Sequence, residues 1–321
     1  MTANIKQFKL YIICFINLSL FLLLSSTSDA FLSKENIGTT SAQFLKLGIG
    51  AKSAGLGNAV SSVCNGSESI YWNPSNLAYL NQKEFSFSHT MWFEDINYEW
   101  LAFAMPTDKY GVFAVAVQYV SYGNLDKIDN VGVNNGSFSP IDMAVYLSYA
   151  NRYKQFNFGG NLKYIYSKIE NSASAVAIDL GTNYDFNNKT SIAAVISNFG
   201  TDMKFNNEAE PLPFLFKLGG SHFITNDWLV ALDLNFPKDN ELYINLGTEY
   251  MIVAGDNTDF SIRAGYDGRN KDIPGLNWIN LGFGIRYLDY VVDYAFVPYG
   301  EIGMTHRLSF SIKFGEKTEV K

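Results

Sequence analysis

From Glu84 onward the hydrophobic and polar positions of the chain alternate with a period of two. In "WLVALDLNF", Trp228, Val230, Leu232, Leu234 and Phe236 fall on one face, and Leu229, Ala231, Asp233 and Asn235 on the other. In "FNFGGNLKYIY", Phe156, Phe158, Leu162, Tyr164 and Tyr166 oppose Asn157, Gly159, Asn161 and Lys163. "DFSIRAGYD" and "INLGFGIRY" repeat the pattern around Phe260, Ile262, Leu281 and Phe283. Alternation of this kind marks strands. It predicts about fourteen of them, near 84–93, 97–106, 111–121, 140–150, 156–168, 174–185, 190–198, 213–223, 228–236, 242–252, 259–267, 277–287, 290–297 and 306–314.

A soluble sandwich would share this period. The distribution of charge separates the two cases. Lys163, Asp179, Lys217, Asp233, Glu249, Arg263, Arg286 and Asp293 all fall on the small, glycine-containing face. The other face is nearly free of charge and carries aromatic residues towards its ends, as lipid-facing girdles do. The polar face therefore reads as a crowded interior in which opposite charges pair. Most of the segments reach the roughly 9–11 residues that a tilted membrane strand needs. An even number of strands closes with both termini on the periplasmic side, and closure satisfies every backbone group in lipid.

Short connections at 224–227 and 256–259 suit hairpins, and longer ones at 123–140 and 267–275 suit surface loops. The last strand, "HRLSFSIKF", places Leu308, Phe310 and Ile312 in phase with Phe314. A terminal strand with an aromatic end resembles the signal read by barrel-insertion machinery, an expected partner.

Residues 1–30 read as a signal peptide: Lys6 and Lys9, an apolar run from Leu10 to Leu24, then Ser28 and Ala30 at the small positions of a cleavage site. Its removal leaves Cys64 as the single cysteine, so the exported fold carries no internal disulfide. No second long apolar run follows, so no transmembrane helix is expected. The net charge of −7 disfavours nucleic acid as a partner. With 17% charged and 16% aromatic residues, the composition favours β structure with a lipid-facing surface.

Residues 31–80 do not alternate. Gly48, Gly50, Gly55 and Gly57 lie among Phe44, Leu45, Leu47, Ile49, Leu56 and Val60. Those glycines permit close backbone packing, and the apolar residues suit a plug or a greasy pocket rather than a water-filled pore. The stretch "YWNPSNLAYL" follows, with Tyr71, Trp72, Asn73 and Pro74. Pro74 argues against a helix through it, and Asn73 can hold a turn through its side chain.

Catalytic chemistry has little support. His89, His222 and His306 lie far apart without metal-ligand spacing. "GAKS" (50–53) lacks the order of a phosphate-binding loop, and no nucleophile elbow is present. The expectation is no enzyme, no catalytic or metal residues and no cofactor.

Three blocks together resemble the PorV/PorQ (UPF0164-type) outer-membrane proteins of the FadL-like clan: "FLKLGIGAKSAGLGNAV" (44–60), "SIYWNPSNLAYL" (69–80) and "AFVPYGEIGMTHRLSFSIKF" (295–314). The resemblance implies an all-β transmembrane antiparallel barrel with an N-terminal hatch folded into its lumen. It divides the chain into a signal peptide (1–30), a hatch (31–80) and a barrel (81–321). FadL-like members pass hydrophobic compounds, so passive transport of small hydrophobic molecules through a hatch-gated lumen is the leading expectation. PorV serves type IX secretion, so binding of cargo or secretion components without a channel is the alternative. Gly48, Gly50, Gly55, Gly57, Tyr71, Trp72, Asn73 and Pro74 are the expected ligand-binding or gating residues. Ser75 stands where the family's "NPA" has alanine, Lys52 where arginine is common, and Asn58 where glycine is. Glu68 is the one acid left of the usual acidic pair. Location in the outer membrane with both termini periplasmic, in contact with its lipid, completes the expectation.

Overall fold

The computed structural model describes residues 33–94, 96–275 and 277–318; the expected signal peptide lies outside them. The first strands are β1 (Lys83–Met91), β2 (Asn97–Thr107) and β3 (Gly111–Ser121). A hairpin of β4 (Leu125–Ile128) and β5 (Asn134–Phe138) interrupts the series. Then come β6 (Ile141–Tyr153), β7 (Phe156–Lys168), β8 (Ser172–Asn187) and β9 (Thr190–Gly200). A second hairpin, β10 (Met203–Phe205) and β11 (Glu208–Glu210), precedes β12 (Leu215–Phe223), β13 (Trp228–Pro237) and β14 (Tyr243–Val253). The series ends with β15 (Thr258–Asp267), β16 (Asn280–Tyr287), β17 (Tyr290–Pro298) and β18 (Met304–Phe314). Fourteen of these strands, all but the two hairpins, form one closed antiparallel barrel. β1 closes it against β18, with Lys83 opposite Phe314.

The alternation places the faces as expected. Along β13, Leu229, Ala231, Asp233 and Asn235 are buried, while Trp228 and Leu232 are exposed on the outside. Lys163, Asp179, Lys217, Asp233, Arg263 and Asp293 are buried inside. Arg286 is the exception: it sits at the mouth, largely exposed, and pairs with the buried Asp259.

The two ends of the barrel differ. Turns at 108–110, 154–155, 188–189, 224–227, 254–257 and 288–289 close one end. The longer connections, including both hairpins, gather at the other. The hairpins were not anticipated, because segments of three to five residues without alternation leave no periodic signal.

Residues 33–82 run through the barrel from one end to the other. At the long-loop end, Lys34 Nζ donates to Asp272 at 3.2 Å and Thr40 Oγ1 to Asp239 at 2.5 Å. At the short-turn end, Tyr79 donates to Asp185 at 2.6 Å and Gln82 to the Gly315 carbonyl at 3.1 Å. The first and last barrel strands thus start and end together, but the described chain enters from the opposite end. The expectation of two termini on one side holds for the barrel sheet and not for Ser33.

The inserted segment has only short helices, none longer than the six residues of Pro74–Tyr79, because Gly50, Gly57 and Pro74 interrupt anything longer. The turn Ala51–Gly55 packs on β15, β16, β17 and β18, and the turn Pro74–Tyr79 on β6, β7 and β8. These are opposite sides of the barrel, so the segment bridges the interior.

The interior has two chemistries. Across β2, β3 and β6 it is mostly apolar: Tyr98, Trp100, Ala102, Val112, Ala116, Val120, Ala144 and Tyr146 form one cluster with Phe44, Leu45, Trp72, Leu77 and Leu80 of the inserted segment. From β7 round to β18 it carries Lys163, Asp179, Lys217, Asp233, Arg263, Asp293 and Arg307. Among the described residues no helix is long and apolar enough to cross a membrane.

Candidate functional site

A segment without regular structure must satisfy its backbone elsewhere. Here barrel side chains do it. Asp233 Oδ2 accepts from the amides of Val60 (3.1 Å) and Ser61 (3.0 Å) and from Ser61 Oγ (2.6 Å). Glu84 Oε1 accepts from the Ser67 amide at 2.6 Å, and Ser309 Oγ from the Ala51 amide at 2.7 Å. The carbonyls are met in turn: Gln118 donates to Phe44, Arg307 to Gly48, Asn280 to Ala54, Asn183 to Ser62 and Asn161 to Ile70. Asn58 donates to Asp267 at 2.7 Å. These partners come from β1, β3, β7, β8, β13, β15, β16 and β18, so the segment is held from every side. Bonds involving a charged partner contribute about 1.5–3 kcal/mol each, against about 1 for neutral ones.

The expected glycines divide into two roles. Gly55 and Gly57 touch the wall: a Cβ on Gly55 would lie 2.8 Å from Gly282 Cα, and one on Gly57 2.4 Å from Tyr266 N. Gly57 also has φ +63°, a region that L side chains enter at a cost. Gly48 and Gly50 instead face the second half of the same segment. The Gly48 amide donates to Tyr71 Oη at 3.0 Å, and a Cβ on Gly50 would lie 2.2 Å from Glu68 Oε2.

Tyr71, Trp72, Asn73 and Pro74 form the matching half. Tyr71 Oη donates to the Leu45 carbonyl at 2.8 Å, and Trp72 Nε1 to the Ile49 carbonyl at 3.2 Å. Burial pushes the Tyr71 phenol up to about 12, so it remains a donor. Asn73 Oδ1 accepts from Ser75 N at 3.1 Å, while its amide donates to the Ser61 carbonyl at 2.8 Å. Pro74 opens the following turn. The structure thus brings all eight expected residues into one body. It adds wall glycines as their partners: a Cβ on Gly159 would meet Pro74 C at 2.6 Å, on Gly181 Asn73 Oδ1 at 2.1 Å, and on Gly247 Leu56 O at 2.5 Å. Their place on the small face of their strands was visible in the alternation, but what they touch was not.

Two hollows flank the segment. Towards the short-turn end, a vestibule of about 730 Å³ is lined by Lys52, Glu68, Glu84, Arg263, Asp293 and other polar residues. Glu68 keeps partial exposure to it. Burial, then the negative charges of Asp293 and Glu84, push the Glu68 carboxyl up to about 7, with Lys52 opposing them. On the other side lies a cavity of about 30 Å³, lined by Leu45, Lys46, Trp72, Lys163, Lys217, Tyr243 and Arg269 among others. Three of its cations are paired: Lys46 with Asp239 at 2.7 Å, Lys163 with Asp179 at 2.6 Å, and Arg269 with Asp267 at 2.5 Å. Lys217 is not. Its ammonium lies 4.7 Å from the centroid of the Trp72 ring. A cation–π contact contributes about 0.5–2 kcal/mol, less than the several kcal/mol that burying an ammonium costs.

The histidines stay apart: His89 contacts Glu99, His222 contacts Thr190, and His306 stacks on Tyr294. Among the described residues no cluster of three His, Cys, Asp or Glu gathers to hold a metal. Cys64 is buried, and burial raises its thiol far above the ordinary range.

A closed barrel of fourteen antiparallel strands, threaded by its own N-terminal segment, is the class that fold and site define. The chain belongs to the uncharacterised protein family UPF0164, whose model matches residues 24–209. No curated protein matches it. Among solved structures it is similar to the Ralstonia pickettii toluene transporter TbuX, at 12% identity and a TM-score of 0.58 over 84% of this chain and 99% of that one. The Pseudomonas putida toluene transporter TodX gives 15% and 0.57 over 84% and 99%. A Pseudomonas aeruginosa FadL homologue gives 9% and 0.54 over 83% and 98%. At these identities the likeness establishes the fold.

Proposed function

We propose that the protein is an outer-membrane barrel that passes small hydrophobic compounds, with the segment near 31–80 acting as the hatch. The observation that carries this reading is the apolar wall of the interior, across β2, β3 and β6, against which Phe44, Leu45, Trp72, Leu77 and Leu80 pack. Displacing these residues would uncover a continuous apolar track beside a polar wall. The outside supports the membrane: Leu101, Val115, Leu147, Leu162, Val176, Leu180, Leu232, Ile262 and Leu308 are all exposed. So many outward apolar residues exceed what a water-facing surface tolerates. Short turns face the periplasm in such barrels, which orients the long loops outward. TbuX and TodX, named as toluene transporters, make small hydrocarbons the first substrates to try.

The test is flux into proteoliposomes. Deleting residues 44–76 is expected to raise permeability to hydrophobic probes such as toluene. Unchanged flux, with loss of a secreted cargo in the native host, would overturn the channel reading. That result would favour the PorV-like one, in which the barrel binds cargo or secretion components. One observation speaks for it: the β4–β5 hairpin projects Leu125, Ile128, Val133 and Val131 outward, the last 83% exposed. In the gate reading, Gly48, Gly50, Gly55 and Gly57 with Tyr71, Trp72, Asn73 and Pro74 set how firmly the hatch closes. Insertion by barrel-assembly machinery reading β18 belongs to both readings.

A further inference from the structure

We infer that the cavity beside Trp72 is a binding site for one monatomic anion, chloride, held by the Lys217 ammonium. Size sets the class of ligand. The cavity, about 30 Å³, exceeds the ~10–15 Å³ that one water needs and leaves no room for an organic body or a tetrahedral oxyanion. Chloride is little larger than water and carries a single charge.

Charge sets the sign. Four cations line the cavity, and three of them hold an acid: Lys46 with Asp239, Lys163 with Asp179 and Arg269 with Asp267. Lys217 is 5% exposed, yet among the described residues no carboxylate oxygen lies within 4.0 Å of its ammonium. Asp233, one strand away on β13, does not line the cavity and spends Oδ2 on the amides of Val60 and Ser61. Asp179, the acid that does line it, is engaged at both oxygens: Lys163 and the Asn198 amide on Oδ1, Asn161 on Oδ2. With the three pairs neutral, Lys217 leaves one positive charge at the cavity. The Trp72 ring, its centroid 4.7 Å away, meets one side of an ammonium that has three N–H donors.

Strand register gathers neutral donors at the same level. Lys217 stands opposite Asn235 of β13, and Asn235 opposite Tyr243 of β14. Neighbouring strands lie about 4.8 Å apart, so side chains from several of them reach one small space. The Tyr243 and Ser197 hydroxyls and the Asn245 side-chain NH₂ line it, with no hydrogen-bond partner for these groups among the described residues. Each can donate to a halide. A water would fill the same space but leave the charge uncompensated. Lys46 and Arg269, with side chains 29% and 25% exposed, form the rim towards the long-loop end, so the ion enters from there. Bound chloride would complete the contact between Trp72 of the inserted segment and the wall strand β12. The site does not depend on flux through the barrel.

The experiment titrates the full chain, in detergent at neutral pH, from sodium gluconate to sodium chloride at constant ionic strength. Two signals are followed: the ³⁵Cl line width, which reports bound chloride, and the ¹⁹F spectrum of the chain labelled with 5-fluorotryptophan, with Trp72 assigned by Trp72→Phe. Saturable ³⁵Cl broadening is expected, displaced by bromide, together with a saturable shift of the Trp72 resonance. Sulfate is expected to produce neither. Lys217→Met, checked for folded migration on unboiled gels, is expected to weaken chloride binding about tenfold or more. Should Lys217→Met fail to fold, the Trp72 resonance of the unsubstituted chain decides. The inference is overturned by wild-type chloride affinity in Lys217→Met, or by a Trp72 shift that sulfate reproduces, which would report ionic atmosphere rather than a site. It is equally overturned by a Trp72 resonance that ignores chloride, in which case water alone fills the cavity.

Discussion

Gly57 of the inserted segment and Gly265 of β15 meet backbone to backbone: a Cβ built on Gly265 would stand 2.0 Å from Gly57 N. No side chain fits between them, so the contact measures how closely the segment is seated. Gly265→Leu is expected to unseat residues 55–60 while β14 and β15 still pair. Overpacking costs about 1–3 kcal/mol where neighbours can yield, and more is expected here because both neighbours are backbone. Protease cleavage within 50–60 checks it; an uncleaved variant with the wild-type unfolding temperature would contradict the tight seat.

Asp233 takes three hydrogen bonds from the inserted segment through one oxygen, two of them from backbone amides. In Asp233→Ala the Val60 and Ser61 amides lose their acceptor, at about 1–3 kcal/mol for each buried group left unpaired. Amide exchange at residues 58–63 should accelerate by at least tenfold with little change in the strands. Exchange that rises equally throughout would show that Asp233 supports the whole barrel instead.

Asn73 and Pro74 hold the turn that packs on β6, β7 and β8. Replacing both with alanine removes the bonds to Ser75 N and the Ser61 carbonyl. The expected outcome is a barrel that inserts and shifts on unboiled gels as before, with raised leakage of hydrophobic probes. Failure to insert would assign this turn to assembly rather than closure.

Glu68 makes the seating pH-dependent. Its carboxyl ordinarily titrates at 4.5 and is pushed up to about 7 in place. The folded state therefore holds the proton more tightly than the unfolded one. Its contribution is complete below 4.5 and is lost as pH rises through about 7. Protection of the amides around Gly50, taken relative to the intrinsic exchange rate at each pH, should be weaker at pH 8 than at pH 5, and Glu68→Gln should remove most of that difference. A variant with the wild-type pH profile would place the titrating group elsewhere.

The barrel was legible because a strand's faces repeat every second residue, and that pattern is local. Boundaries failed where tertiary contacts intervened. The alternation predicts a strand from 277, but the structure starts β16 at Asn280, and the Asn277 side chain turns to the Asn270 carbonyl. Residues 92 and 93 leave β1 because Trp92 and Phe93 pack on Tyr299. The expected site residues were recognised as a compact knot from glycine, proline and aromatic content. Their partners were not, because Gly57 and Gly265, or Ser61 and Asp233, lie far apart in sequence and carry no mutual pattern.

Alternation and residue type by themselves determined an antiparallel barrel with an apolar outside, a charged inside and a preceding segment that is not a strand. Only the tertiary structure decided that this segment enters from the long-loop end, that wall side chains satisfy its backbone, and that the apolar interior side chains gather on the wall of β2, β3 and β6. The physical reason is that period and propensity act over a few residues. Closing the barrel, by contrast, fixes which distant strands face each other across it, and so which donor meets which carbonyl.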